Sequence, residues 1–364
     1  MKYKKIVSTE KTPIFIGNSL LITPVFFDLL PNTGKLVLIN DSSISSDFLE
    51  PLLLELQKRP TTLVHIPLEI SETKKTRETK AGIENQLFAA GCGRDTTIVA
   101  LGGGVLTDLV GFIAATYCRG VPLILCPSTI LGMIDASIGG KTGVNTPYGK
   151  NLIGAFYPPK AIYMDISVLK GLPQTVFNDG LAELIKHAAL TDKVLFEALL
   201  KTNPEALRGD FPLLVDMLET SARIKLKITE IDQLESGLRA CLNFGHTIGH
   251  AIESAAKGRY AHGQSIIFGM ITETVIAINK GLCTSETLTQ LKSISQQYGF
   301  HIKAADLKAS DLSAFLRHDK KNKENKIHCS VLSEVGKYWT NDQEYTISVS
   351  LEECFDALKE ISIF

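Results

Sequence analysis

The sequence predicts a chain of two parts: an α/β, Rossmann-like nucleotide-binding domain over residues 1–170, then an all-α domain over residues 171–364. Three observations lead there. In the first half, short β-branched or leucine-rich runs alternate with polar, helix-like stretches, the pattern of a parallel sheet covered on both faces. One of these runs passes straight into Gly102-Gly-Gly104 and then into a helical pattern. From about Leu172 onward apolar residues recur at helical spacing, and convincing strands are scarce.

Taken in order, Lys35–Asn40 reads as a buried strand and Asp47–Lys58 as the helix after it, with Pro60 as the break. Thr62–Ile66 is a second strand, and Lys80–Ala90 a helix that stops at Gly91-Cys-Gly93. Thr96–Leu101 forms the strand before the three glycines, with a helix over Leu106–Ala115. Val121–Cys126 is a further strand, Pro122 lying near its start where a missing donor is tolerated. In the second half the helical stretches are Val176–Leu190, Val194–Leu200, Leu213–Thr229, Leu242–Ala256, Gln264–Lys280 and Glu286–Tyr298. Asn178-Asp179 is a plausible N-cap for the helix carrying Glu183. The basic run 320–326 reads by default as a solvated loop.

Bulk properties narrow the function classes. With 364 residues the core is large enough to need no staples, and 45% hydrophobic with 21% charged residues suits an ordinary soluble protein. A net charge of −1 gives no support for a nucleic-acid or membrane-surface partner. Seven cysteines without paired spacing point to reduced thiols in a cytoplasm. The N-terminus lacks the apolar run of a signal peptide, and no segment is apolar for long enough to span a bilayer.

Several constellations carry chemistry. The strand–Gly-Gly-Gly–helix junction lets backbone N–H groups approach a phosphate at a helix N-terminus, although a tight βα turn would explain it equally well. Asp41, at the end of an upstream strand, could hydrogen-bond a ribose hydroxyl. The polar stretch from Pro127 to Asn151 suits a loop around an anionic ligand, with Lys141 and Lys150 as charges and Ser128, Thr129 and Asn151 as hydrogen-bonding groups. His246 and His250 lie four apart on a helix, and His262 follows on a Gly-flanked turn. Glu183 and Lys186 share a helix face, as a surface pair or as a buried carboxylate in need of a cation. A carboxylate with two histidines is a familiar catalytic zinc arrangement.

These residues resemble a known family. Gly102-Gly-Gly-Val-Leu-Thr-Asp108, Asp135-Ala-Ser-Ile-Gly-Gly-Lys-Thr142, Gly149-Lys-Asn-Leu-Ile-Gly-Ala-Phe156, Gly180-Leu-Ala-Glu-Leu-Ile-Lys186, the run Gly237–Glu253 and His262-Gly263 are similar, in sequence order, to the motifs of the 3-dehydroquinate synthases, sugar-phosphate cyclases. The resemblance spans about Lys35 to Lys337. It implies the family's two-domain fold and a homodimeric, cytoplasmic shikimate-pathway enzyme that uses NAD and a divalent metal, Zn2+ or Co2+. The implied reaction converts 3-deoxy-D-arabino-heptulosonate 7-phosphate to 3-dehydroquinate and phosphate. It would proceed by NAD-mediated transient oxidation, phosphate elimination, reduction and intramolecular aldol closure.

Carried over position by position, the resemblance makes Glu183, His246 and His262 the metal ligands. His250 is then a proton-transfer residue rather than a ligand. Asp135, Lys186, Lys225, Arg239 and Asn243 would line the substrate pocket. Lys141, Lys150, Asn151 and Arg119 would surround phosphate and carboxylate, Arg119 reaching the neighbouring subunit, and Lys321 (or Lys320) would add one more cation. NAD contacts would come from Asp41, Glu72, Lys75, the run Gly104, Val105, Leu106, Thr107 and Asp108, and from Ser128, Thr129, Lys141, Lys150, Leu169 and Lys170. Where the family has Pro-Asp-Gly-Glu, this chain has Glu69-Ile-Ser-Glu72, and Gly171 replaces a frequent Thr. The competing readings are another sugar-phosphate cyclase, a glycerol-dehydrogenase-like metal/NAD enzyme, and an inactive NAD-binding regulator.

Overall fold

The computed structural model describes residues 3–7, 12–302, 307, 309–318 and 326–361. The chain divides into two compact units, one of Met1–Phe177 with Phe211–Leu226, the other of Asn178–Asp210 with Lys227–Phe364.

Unit one is built on a seven-stranded sheet. Its strands are β1 (Tyr3–Val7), β2 (Pro13–Gly17), β3 (Lys35–Asp41), β4 (Thr62–Leu68), β5 (Thr97–Gly102), β6 (Leu123–Pro127) and, after a separate hairpin, β9 (Ala161–Asp165). The order is β1-β2-β9-β6-β5-β3-β4, with only β1 antiparallel to its neighbour. The four strands expected from apolar runs are present as β3, β4, β5 and β6; all of Thr97–Gly102 and Leu123–Pro127 is buried, as a strand covered on both faces requires. The helices are α1 (Pro24–Phe27), α2 (Ser46–Gln57), α3 (Arg77–Ala89) and α4 (Gly104–Thr116). The hairpin strands β7 (Lys141–Thr146) and β8 (Gly149–Phe156) pair antiparallel.

The β2–β9 part of this sheet is tied to the segment after β2 by side chains. Tyr163 on β9 stacks on Phe15 with ring centroids 4.8 Å apart and meets Phe26 edge-on at 5.0 Å. Its hydroxyl donates to the Val25 carbonyl at 2.7 Å. Asp165, only 2% exposed, accepts from Ser19 N (2.8 Å), Leu21 N (3.0 Å) and Ser167 N (3.0 Å), and from the Ser167 hydroxyl. One carboxylate thus pins the left-handed turn at Ser19 to the end of β9.

Unit two holds most of helix α5 (Gln174–Thr191), then α6 (Lys193–Lys201) and α7 (Pro204–Gly209). It resumes in the last turn of α8 (Phe211–Ile231) and continues through α9 (His246–Ala256), α10 (His262–Asn279), α11 (Ser285–Gln297), α12 (Ala309–His318) and α13 (Leu351–Glu360). Between the last two helices run four short strands, β10 (Ile327–Cys329), β11 (Leu332–Glu334), β12 (Lys337–Tyr338) and β13 (Ile347–Val349), paired β10 with β13 and β11 with β12. The core joins Ile248, Ile252, Val275 and Ile276 to Cys354 and Leu358.

Two local expectations are corrected. Asn178 and Asp179 do not cap a helix start, because α5 already begins at Gln174. The expected continuous helix from Leu242 is broken: a 3-10 turn over Leu238–Asn243 ends before Gly245, whose φ of +78° resets the chain before α9. All seven cysteines are free thiols, and burial pushes the Cys126 thiol well above its ordinary value. Among the described residues no helix is long and apolar enough to cross a membrane.

Replacing Asp165 by Ala would strand the N–H donors it receives at the end of β9, and we expect a loss of about 2–4 kcal/mol. Urea denaturation followed by far-UV circular dichroism checks this. An unchanged midpoint would contradict the assigned role.

Candidate active site

The donor residues of unit two come together from three helices. Glu183 on α5 is 1% exposed; its Oε1 lies 3.4 Å from His246 Nε2 and 3.6 Å from His262 Nε2. The three ligand atoms fall within 4.8 Å of one another. Tetrahedral zinc with bonds near 2.0–2.2 Å has donor–donor edges of about 3.4 Å, so this set fits such an ion. Lys186 Nζ, 2% exposed, forms an ion pair with Glu183 Oε2. The pair is buried, which settles the choice that the i, i+3 spacing left open.

The outer nitrogens of both imidazoles are engaged. His246 Nδ1–H donates to the Phe244 carbonyl at 3.1 Å, which leaves Nε2 with its lone pair for the Glu183 side. His262 Nδ1–H donates to Glu253 Oε2 at 3.0 Å. Burial pushes the His262 imidazole down, but Glu183 and Glu253 outweigh it and raise it to about 10. A cation bound here would take the place of the Nε2 proton.

His250 sits beside both rings, with centroids 5.1 Å from His246 and 5.8 Å from His262. It also forms a second potential donor group with Glu253 and His262. Arg239, 4% exposed, donates from Nη1 to the Gln233 carbonyl at 2.7 Å, and Asn243 donates to Glu235 Oε1 at 2.8 Å. Lys320 and Lys321 lie outside the described residues.

The helices that deliver the histidines touch through glycines. A Cβ on Gly269 of α10 would lie 1.9 Å from the Gly245 carbonyl oxygen and 2.7 Å from Gly249 N. A Cβ on Gly263 would lie 2.1 Å from the Asp179 carbonyl oxygen on α5. Neither His246 nor His262 sits in a loop. Each is the first residue of its helix, which corrects the expected turn position of His262.

Unit one gathers a different set. The connections after β3 and β5 leave in opposite directions in the strand order, so the C-terminal ends of these neighbours make a topological switch point. Asp41 ends β3, Gly102 ends β5, and Ser128 and Thr129 follow β6. Helix α4 begins at Gly104 with Gly103 as an N-cap that has no side-chain acceptor, an end suited to an anion. A Cβ on Gly104 would come within 3.0 Å of Ala136 Cβ. Leu106 and Thr107 are buried, and the Thr107 hydroxyl donates to the Gly104 carbonyl, so these positions offer backbone rather than side chain; Val105 is half-buried.

Lys75, 2% exposed, links Asp108 and Asn151 through Nζ, at 2.6 Å to Asn151 Oδ1. Burial raises the Asp108 carboxyl, and Lys75 opposes that shift. Asn145, which sequence reasoning missed, donates to the Glu72 carbonyl (3.0 Å) and to Glu72 Oε1 (2.7 Å), and its Oδ1 accepts from Asn151 N (2.9 Å). The β7–β8 hairpin is therefore latched to the 72–75 segment. It also packs on α4, where a Cβ on Gly111 would come within 2.5 Å of Thr142 Cγ2. Lys141 and Lys150 are exposed on this hairpin. Lys225 Nζ donates to both the carboxylate and the carbonyl of Asp135 at 2.5 Å. Leu169 is buried, while Lys170 is exposed and lies over the Phe211 ring at 5.1 Å.

Glu253 and Asp179 were also missed as working residues. The first had a signal: it falls on the α9 face already marked by His246 and His250. Asp179, read as a local cap, instead accepts from Gly263 N on α10 at 2.5 Å.

A carboxylate–imidazole donor set of the kind that holds a metal ion in one unit, and a βα turn suited to an anion in the other, are features of a class of metal- and nucleotide-dependent enzymes acting on small molecules. Comparison narrows the class. The 3-dehydroquinate synthase N-terminal model matches residues 65–179 and the corresponding C-terminal model residues 180–322. The 3-dehydroquinate synthase of Symbiobacterium thermophilum is 35% identical over 323 residues, covering 88% of this chain and 90% of that protein. The Acidithiobacillus ferrooxidans 3-dehydroquinate synthase is 37% identical over 325 residues, 89% of each chain. Among solved structures, 2-epi-5-epi-valiolone synthase from Streptomyces hygroscopicus subsp. jinggangensis, with NAD+ and Zn2+ bound, superposes with a TM-score of 0.86 at 27% identity over 100% of this chain and 99% of that one. The chain belongs to the 3-dehydroquinate synthase family.

Gly269→Ala should force α10 away from α9 and lower stability by about 3 kcal/mol. Gly82→Ala, in α3 with nothing within 4 Å of the new methyl, should instead gain about 0.4–1 kcal/mol. Thermal midpoints of the two variants moving in the same direction would contradict the packing argument.

Proposed function

We propose that this protein catalyses the family reaction, converting 3-deoxy-D-arabino-heptulosonate 7-phosphate to 3-dehydroquinate with release of phosphate. The observation that carries this reading is the convergence of Glu183, His246 and His262, with the family's motifs in order on either side. When bound, NAD+ supplies a hydride acceptor regenerated within each turnover, and a divalent cation, Zn2+ or Co2+, supplies charge that acidifies substrate hydroxyls.

The chain's own residues then have distinct tasks. Glu183, His246 and His262 hold the cation. Lys186, buried against Glu183, and Lys225, bonded to Asp135, orient substrate oxygens, joined by Arg239 and Asn243. His250, within reach of both ligand rings, moves a proton at the substrate. Lys141, Lys150 and Asn151 meet phosphate and carboxylate oxygens, with Lys321 as a further cation. Asp41, Glu72, Lys75, the 104–108 turn, Ser128, Thr129, Leu169 and Lys170 hold the dinucleotide. In this division of labour residues 1–170 supply the NAD contacts and part of the substrate contacts, and residues 171–364 the metal ligands and the rest, although the stretch 211–226 with Lys225 belongs to unit one.

The working form is proposed to be a homodimer in the cytoplasm. Seven free thiols suit a reducing compartment. Three consecutive residues, Cys118, Arg119 and Gly120, have positive φ, and this tight turn holds Arg119 exposed, where a neighbouring subunit's substrate could meet it.

The purified protein, supplied with NAD+ and Zn2+ or Co2+, should release phosphate from the heptulosonate without net NADH. Steady NADH accumulation would favour a dehydrogenase, and no turnover at all an inactive regulator. Glu183→Ala, His246→Ala and His262→Ala should each lower the rate by about 100- to 1000-fold or more, the scale of losing a principal electrostatic contact.

A further inference from the structure

Both histidine-bearing helices start without a competent cap of their own. The N-cap of α9 is Gly245 and that of α10 is Ala261, and neither has a side-chain acceptor. By contrast α6, α7 and α13 in the same unit are capped by their own Asp192, Asn203 and Ser350. At α9 and α10 a carboxylate from another helix takes that place.

Glu273, on α10 and fully buried, reaches the start of α9. Its Oε2 accepts from Gly245 N at 2.6 Å, and its Oε1 from Thr247 N at 3.1 Å and Ile248 N at 3.2 Å. These donors bracket His246 on both sides. An ionised carboxylate only accepts hydrogen bonds, so it matches converging N–H groups, and its charge suits the positive end of the helix. The reach is possible because Gly269, one turn earlier on α10, lets the two backbones touch. Asp179 does the same for α10, accepting from Gly263 N at 2.5 Å and from Gln264 N, directly after His262. Asp179 lies one turn before Glu183 on α5. Helix α5 therefore fixes the start of α10, and α10 fixes the start of α9.

We propose that Asp179 and Glu273 are positioning residues of the metal centre, two carboxylate caps supplied across helices that hold His262 and His246 in ligating register with Glu183. The inference rests on the metal-ligand reading given under the proposed function and extends it to residues that touch neither ion nor substrate.

The test uses the full-length protein and its Asp179→Asn, Asp179→Ala, Glu273→Gln and Glu273→Ala variants. Zn2+ affinity is measured by competition with a chelator, Co2+ geometry by its visible absorption, and the thermal midpoint without metal. Both alanine variants should bind Zn2+ about 10- to 100-fold more weakly, the range for losing an orienting partner of a ligand, with a changed Co2+ spectrum. Asp179→Asn keeps an acceptor oxygen and should restore affinity close to wild type. Glu273→Gln should stay weakened, since it presents an amide N–H to donors that need an acceptor.

Variants with a lower midpoint but wild-type Zn2+ affinity and Co2+ spectrum would overturn the proposal and leave the caps purely structural. Should the alanine variants fail to fold, Glu273→Gln decides, and unchanged affinity there overturns it too. A wild-type protein that binds neither ion would overturn the ligand reading itself, a result separable from failure of the caps.

Discussion

A carboxylate as deeply buried as Glu183 is tolerable only with cationic or proton-donating partners around it, and unit two is arranged to supply them. Lys186 comes from the next turn of the same helix, while His246 and His262 arrive at the starts of two others. Each partner brings a further requirement. The lysine must stay buried, the imidazoles must each turn Nε2 inward, and the helices must begin where they do. The glycines at 245, 249, 263 and 269 satisfy the last condition by removing the atoms that would hold the backbones apart.

Unit one settles its buried and half-buried charges by different means. Here the polar groups are shared among themselves: Lys75 between Asp108 and Asn151, Asn145 between Glu72 and the hairpin backbone. Such a network orders a hairpin most of whose larger apolar side chains, Tyr148, Leu152, Ile153 and Phe156, are exposed rather than packed. It also shows how Glu72 keeps its place although the residues before it, Glu69-Ile-Ser, differ from the family's usual run: the latch uses the carbonyl and carboxylate of Glu72 itself.

Much of the fold was legible because burial leaves a periodic trace. Strands β3, β5 and β6, buried on both faces, show as continuous apolar runs, and helices of unit two have apolar residues at helical spacing, so both survive in sequence. The β7–β8 hairpin left no such trace, since its exposed outer face and its glycines at 143 and 154 serve a close backbone approach instead. Strands β1, β2 and β9 were not read from the sequence, although each has the five residues of β6. At the site, motif order singled out Glu183, His246 and His262, which the structure brings together, whereas the cross-helix caps left no such signal. Asp179 sits where a local cap would be sensible, and only the fold reveals that the N–H groups it serves belong to a helix far along the chain. Glu273 is the only Asp, Glu, Lys or Arg in α10, a lone charge in an apolar run whose partners only the fold shows.

The turn between α9 and α10 is short, so His246 and His262 belong to one αα-hairpin built from contacts close in sequence, whereas Glu183 comes from well upstream. Loop closure favours the nearer partners, and local hairpins assemble faster than distant pairings. The hairpin brings the two imidazoles near each other, but the start of α10 is fixed by Asp179, so the docking of α5 delivers Glu183 and sets His262 in a single step.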